Sequence, residues 1–426
     1  MLPIKFIREN KENVIKRLAV RNFDANQIIN EILQQAEERK HIQNNLDNFR
    51  SELKSLSKEI GLLLNCEKYN EANTKKDQTS DLKKQIKILN QKLLETEAKL
   101  KDLLVQVPNI PHESVPEGKG EEDNIISKPK GPIPELGKGA LPHWELAKKY
   151  DIIDFESGNK ITGSGFPVYK GKGAKLQRAL INFFLDEAIK TGYTEILPPL
   201  MVNEDSSFGT GQLPDKDGQM YHIPSDNYFL IPTAEVPITN IYRDTILDSS
   251  DFPIKNTAYT PCFRREAGSW GKDVRGLNRL HQFDKVEIVQ IQHPDKSYET
   301  LEEMQNYIES IINKLELPYR IVTLCGGDLG FTSSLTYDFE VWAAAQDKWL
   351  EVSSVSNFES YQSNRLKLRF KEKGEKETKL AHTLNGSALA LPRIVAALLE
   401  NNQSPNGIHI PQVLIEYTGF EIIDRQ

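Results

Sequence analysis

Along the first quarter of the chain, apolar residues recur in alternating steps of four and three. Ile42, Leu46, Phe49, Leu53, Leu56, Ile60 and Leu63 form one series. Leu82, Ile86, Leu89, Leu93, Thr96, Leu100, Leu103 and Val107 form a second, with one polar slot at Thr96. Such a repeat is the seam of a helix that packs along one partner helix. It predicts two long helices, the first beginning near Asp24 or Gln27. The polar stretch between them, NCEKYNEANTKKDQTS, has little period and is expected to hold the turn, which folds the pair into an antiparallel hairpin. At about 1.5 Å per residue, roughly 38 residues make an arm of about 55–60 Å.

After Val107 the pattern stops. PNIPHESVPEGKGEEDNIISKPKGPIPELGKGALPHW is rich in Pro, Gly and charge, and reads as an extended linker. We therefore divide the chain into an arm (1–110), a linker (111–142) and a mixed α/β part (143–426). Within the last, KLQRALINFFLDEAIK (Lys175–Lys190) is an amphipathic helix that Gly192 ends, and TEILPPLMV follows as a strand. Pro198 and Pro199 exclude an ordinary central strand there and point to an edge or to close approach by another chain. Tyr259–Glu266 and Gln282–Ile291 read as two strands joined by a long glycine-bearing connection with Gly268, Gly271 and Gly276. Tyr337–Val341 and Trp349–Val355 alternate as strands, and Thr383, Asn385, Gly386 and Ser387 read as turn residues leading into an apolar helix, Ala388–Glu400.

Strand alternation gives these segments chemistry. Arg264 and Glu266 share one face, and so do Phe283 and Glu287. A cation, two carboxylates and a flat ring on one sheet face suit a charged planar ligand. Lys285 has the parity of Glu287 and is expected in a salt bridge to a carboxylate. Thr233 and Glu235 in IPTAEVPI either face an ammonium ligand together or mark a capped helix start. Glu351 and Ser354 offer oxygens to Mg²⁺ or decorate a solvated strand end. Arg393 sits near the start of the apolar helix, as an anion contact or a salt-bridged surface group.

Composition narrows the classes. The 426 residues carry a net charge of −7, so an anionic partner must be met by a local basic patch. From Lys75 to Lys101 eight lysines stand against four acids, as a solvated coiled-coil face or as a lever on a phosphate backbone. Cys66, Cys262 and Cys325 are isolated, so neither structural zinc nor a disulfide framework is expected. The opening residues hold no apolar signal segment, and no run is long enough to span a membrane, so a cytoplasmic protein without a membrane partner is expected.

Taken in order, GTGQLP (209–214), TAE (233–235), FRREAGSWGKDVRGLNRLHQFDKVE (263–287), GGDLG (326–330), YDFEVW (337–342), EVSSVSNF (351–358) and TLNGSALALPR (383–393) resemble the bacterial-type seryl-tRNA synthetases, members of the class II aminoacyl-tRNA synthetases. The helix and strand ending in Pro199, the long block around Arg264 and the stretch from Asn385 to Glu400 resemble class II motifs 1, 2 and 3. The likeness covers essentially the whole chain, including the helical arm. It implies an α+β fold with an antiparallel β-sheet core flanked by helices, and ATP-dependent activation of serine followed by transfer to tRNA(Ser), with tRNA(Sec) as a second candidate. It also implies residue roles. Arg264 and Arg393 would be catalytic. ATP would be contacted by Arg264, Arg265, Glu266, Arg279, Phe283, Glu351, Val352, Ser353, Ser354 and Arg393, and Mg²⁺ by Glu351 and Ser354. Serine would be contacted by Thr233, Ala234, Glu235, Arg264, Glu287, Asn385 and Ser387. Pro199 would lie at a homodimer interface, and tRNA would meet the arm and the motif 2 loop. Ala388 and Pro392 depart from the glycines common in motif 3, and Asn364 stands where the family often has Arg. The rival readings are a class II enzyme for another small amino acid, such as the zinc-dependent threonyl enzyme, and a non-catalytic coiled-coil paralogue.

Overall fold

A computed structural model describes residues 1–266 and 275–425. The chain divides into two compact units, residues 1–19 with 23–108, and residues 20–22 with 109 onward. Among the described residues no helix is long and apolar enough to cross a membrane.

In the first unit, α1 (Ile4–Glu9) and α2 (Lys11–Ala19) precede the two long helices, α3 (Asn26–Asn65) and α4 (Tyr69–Leu104). The 40 residues of α3 span about 60 Å. Ile42 and Leu46 are buried from one seam, and Leu82, Thr96 and Leu100 from the other. Ion pairs flank them, with Arg39–Glu97 at 2.8 Å and Lys92–Glu38 at 2.9 Å. The turn is far shorter than the sixteen-residue polar stretch suggested. It occupies Cys66–Lys68, and the rest of that stretch is helical. Ala72, Lys75 and Thr79 continue the three-four spacing of the second seam. Ala72 and Thr79 are buried, and Lys75 reaches across to Glu59 at 2.5 Å. Small and cationic side chains kept the seam but hid it from a hydrophobic count.

The second unit is built on one eight-stranded sheet. Its strands are β1 (Ile125–Ile126), β2 (Thr194–Glu195), β3 (Ile254–Phe263), β4 (Gln282–Gln292), β5 (Tyr319–Thr323), β6 (Leu335–Ala343), β7 (Lys348–Asn357) and β8 (His382–Ala390). The spatial order is β1-β5-β6-β7-β8-β4-β3-β2. Every pairing is antiparallel except that of the edge strand β2 with β3. The helices used below are α5 (His143–Lys149), α6 (Gly171–Lys190), α7 (Glu235–Asn240), α8 (Ser297–Lys314), α9 (Ser360–Leu366) and α10 (Leu391–Asn401).

Three sequence expectations change here. The segment 111–142 is no free linker: it supplies β1, and the Ser127 and Lys130 amides bond to the Ile321 and Tyr319 carbonyls at 2.8 and 2.7 Å, covering an open sheet edge. The strand after α6 is cut by Pro198 and Pro199, so Thr194–Glu195 joins the main sheet and Met201–Asn203 joins a small separate one. Thr383–Ser387 is not a turn but the middle of β8, paired on both sides, and α10 starts only at Leu391. At Gly386 an added Cβ would meet Val355, Ile288 and Met304 at 3.3–3.4 Å, so the glycine is there for close packing under α8. Tertiary pairing has overridden turn propensity.

That packing sorts the faces. Ile288 lies opposite Gly386, on the α8 side; Glu287 lies opposite Ser387, and β-strand alternation sends both to the other side. The polar ends of β4, β7 and β8 therefore open on the face that α8 does not cover.

Candidate active site

On that face lies a cavity of about 870 Å³. It gathers Arg264, Glu266, Arg279 and Phe283 from the β3–β4 pair, Thr233 and Glu235 from the start of α7, and Lys285 and Glu287 from β4. Glu351, Val352, Ser353 and Ser354 come from β7, Asn385 and Ser387 from β8, and Arg393 from α10. Ala234 and Arg265 do not line it: Ala234 is fully buried, and Arg265 is exposed with its amide bonded to the Gln219 carbonyl at 2.9 Å.

Strand parity does not place Arg264 and Glu266. Strand β3 ends at Phe263, and Glu266 adopts a left-handed backbone with φ 49°. The chain bends over the end of the sheet instead. The Arg264 guanidinium lies 5.2 Å from the centroid of the Phe283 ring, and its Nε donates to the Pro232 carbonyl at 3.3 Å. Glu266 is paired with Arg279. The connection's first two glycines, Gly268 and Gly271, and most of the expected motif 2 loop lie outside the described residues.

Below this polar rim two carboxylates are buried close together. Glu287 is 1% exposed and ion-paired with Lys285. It accepts from Thr233 Oγ1 at 3.1 Å and from Asn385 Nδ2 at 3.1 Å. Glu235 opens α7, so TAE does lie at a helix start, but the cap residue is Ala234, which makes no side-chain cap; the Thr233 hydroxyl, one residue earlier, accepts the Glu235 amide at 3.3 Å. Its Oε1 accepts from Gln362 Nε2 at 2.6 Å, and Gln362 Oε1 accepts from Thr383 at 2.7 Å. Burial, and then the charge of Glu287, push the Glu235 carboxyl up to about 7.

At the other end, Glu351 and Ser354 are three residues apart and would face opposite ways on a regular strand. The β6–β7 register pairs Asp338 with Ser354 and Glu340 with Glu351, leaving one extra residue on β7. This bulge brings both oxygens to the cavity. Asp338 stands beside them, with Oδ1 buried and without a partner among the described residues. Burial and the Glu351 charge push its carboxyl up. Hard oxygen donors of this kind fit Mg²⁺. Among the described residues no group of three His, Cys, Asp or Glu side chains could hold a metal, so an ion here would draw its remaining ligands from phosphates and water. Arg393 closes the rim: Nε donates to the Asn278 carbonyl at 3.0 Å, Nη1 to the Glu351 carbonyl at 2.7 Å, and Nη1 lies 3.5 Å from Glu351 Oε2. Pro392 falls in the first helical turn, where its missing N–H costs nothing, so it leaves the Arg393 approach intact.

Sequence reasoning missed Gln362, which tethers Glu235, and Asn278, which anchors Arg393. Neither has a local signal, because each acts through a contact more than a hundred residues away. Asn364 is followed by Arg365, a buried guanidinium bonded to the Phe208 and Leu213 carbonyls at 3.0 and 2.9 Å. Pro199 lies elsewhere, in a surface groove with Leu200, Met201, Tyr228, Pro237 and Ile241.

A largely antiparallel sheet with Arg264, Glu266 and Phe283 at the β3–β4 pair and Arg393 on the helix after β8 defines the core of a class II aminoacyl-tRNA synthetase. Residues 221–402 match the tRNA synthetase class II core domain (G, H, P, S and T), and residues 1–111 match the seryl-tRNA synthetase N-terminal domain. The serine–tRNA ligase of Salinibacter ruber is 49% identical over 427 residues, covering 100% of both chains, and that of Akkermansia muciniphila is 46% identical with 99% of each covered. The crystal structure of seryl-tRNA synthetase from Pyrococcus horikoshii complexed with ATP superposes with a TM-score of 0.91 at 34% identity, covering 100% of both chains. The chain belongs to the seryl-tRNA synthetase family, and its activity is the family's ATP-dependent joining of serine to tRNA.

Proposed function

We propose that the cavity binds ATP and serine side by side and that the groups lining it make seryl-adenylate. The observation that carries this is the meeting of Arg264, Glu266, Phe283, Glu287 and Arg393 around one space large enough for a nucleotide and an amino acid. Phe283 offers a stacking face for adenine and Glu266 an acceptor for its amino group. Arg264 reaches the α-phosphate and the serine carboxylate, and Arg393 the tail of the triphosphate. The serine carboxylate attacks the α-phosphorus and pyrophosphate leaves, so the protein need supply no nucleophile, only position and charge. Mg²⁺, held by Glu351 and Ser354, would neutralise phosphate charge. In the second step the terminal hydroxyl of the tRNA attacks the adenylate carbonyl and AMP departs. The α3–α4 hairpin, with its lysine-rich second helix, is read as the docking lever for tRNA(Ser), and tRNA(Sec) as a second acceptor. The setting is the cytoplasm. Pyrophosphate exchange measured with each amino acid separately tests the reading: exchange with serine supports it, and exchange with threonine or proline but not serine sinks it.

Glu235 makes serine binding sensitive to pH. Its carboxyl, raised to about 7, is protonated below that pH and then cannot pair with the serine ammonium. The serine KM is expected to rise as pH falls below about 7, approaching tenfold per unit, and to lose most of this dependence in Glu235→Gln. Exchange assays from pH 6 to 8 at saturating ATP check this.

The groove at Pro199 is read as a homodimer surface. In this groove Met201 is 51% exposed and Ile241 52%, and Leu197, two residues before Pro199, is 87% exposed, apolar side chains of the kind a partner surface covers. The protein is expected to sediment as a dimer, and Met201→Asp to shift it toward monomer.

A further inference from the structure

Lys285 is a lysine with 5% exposure inside a polar cavity. A buried ammonium costs several kcal/mol unless it is fully partnered, and this one has two partners. It pairs with Glu287 and donates to Thr233 Oγ1 at 2.9 Å. A threonine hydroxyl has one proton and two lone pairs. At Thr233 the proton goes to Glu287 Oε2, and the lone pairs receive Lys285 Nζ and the Glu235 amide. The hydroxyl is saturated, so it acts through Glu287 rather than as a further acceptor for substrate. On Glu287, Oε2 takes Lys285 and Thr233, and Oε1 takes Asn385. Of roughly four lone-pair sites on a carboxylate, three are filled by the protein and one remains. Glu235, by contrast, receives one side-chain hydrogen bond among the described residues, from Gln362.

The two carboxylates therefore differ in kind. Glu287 has its counter-charge built in and its rotamer fixed. Glu235 has neither. We propose that Lys285 is the positioning residue that sets amino-acid specificity: by neutralising and aiming Glu287 it reserves that carboxylate for the substrate hydroxyl and leaves Glu235 to take the ammonium. Without Lys285, Glu287 becomes a bare buried anion and captures the ammonium itself, and the hydroxyl goes unread. A site that bonds a ligand hydroxyl rejects the analogue lacking it strongly, because its own polar groups are otherwise left unpaired. Discrimination against alanine should therefore depend on this lysine.

The inference rests on the serine-site reading of the cavity, and the experiment separates the two. Pyrophosphate exchange is measured with serine and with alanine for the wild type, Lys285→Met and Lys285→Arg, each checked by thermal melting. The ratio of kcat/KM for serine over alanine should fall at least tenfold in Lys285→Met and by less in Lys285→Arg, with the ATP KM within twofold of wild type. A merely structural lysine would lower activity toward both amino acids and leave the ratio alone. If folded variants keep the ratio within twofold, or if neither variant folds, Lys285 is a stability residue and the proposal is overturned. If the wild type itself fails to exchange with serine, the cavity reading has failed instead.

Discussion

Replacing Arg264 by Ala is expected to lower serine-dependent pyrophosphate exchange by at least about a thousandfold, the scale on which a guanidinium aimed at a transferring phosphoryl group acts. The side chain is partly open to the cavity and, among the described residues, makes one hydrogen bond, to the Pro232 carbonyl at 3.3 Å, and one ring contact, with Phe283. Its charge helps to keep the buried Glu235 carboxyl ionised, but Glu235 retains its Gln362 hydrogen bond, so the melting temperature should move little. The informative result is the combination of a folded protein and lost chemistry. An active Arg264→Ala enzyme would falsify the role given to this arginine. Exchange needs no tRNA, so the loss must appear in the first step.

Deletion of residues 27–107 is expected to do the opposite, sparing exchange while lowering tRNA charging by at least about a hundredfold. The lysines of α4, among them Lys83, Lys84 and Lys87, give the arm a local positive face on a chain of net charge −7. Binding through such a face falls steeply with salt because phosphate neutralisation releases counterions. The full-length KM for tRNA should therefore climb between 50 and 200 mM salt, and the residual charging of the shortened protein should show a flatter dependence. Unchanged charging after the deletion would make the arm structural only.

The parts of this protein that were legible in its sequence are those whose signal is local and periodic. Ile42 to Leu63 and Leu82 to Leu103 announce their helices because a seam repeats, although the expected seam ran on to Val107, past the helix end at Leu104, and Lys175–Lys190 announces a helix lengthened only at its N-terminal end, to Gly171. The seam faded at Ala72, Lys75 and Thr79 because small residues and a snorkelling lysine fill the same positions without apolar bulk. Asn385, Gly386 and Ser387 misled because their preference for turns is a property of short peptides, whereas β8 is held by neighbours on both sides. The residues of the cavity were named mostly through the motifs they belong to. Their geometry was not: the bend at Glu266, the tether from Gln362 and the filled lone pairs of Thr233 all depend on partners distant in the chain.

The irregularity in β7 has an evolutionary side. Glu351 and Ser354 look the same way only because β7 carries one residue more between them than β6 carries between Glu340 and Asp338. Losing that extra residue would leave the two side chains two positions apart on a regular strand and still on one face, whereas gaining a further residue there would need a second irregularity or would turn one of them to the far surface of the sheet. At this spot the cavity is encoded by a tally of positions as much as by chemistry, so a one-residue shortening between the two should be survivable more often than a one-residue lengthening.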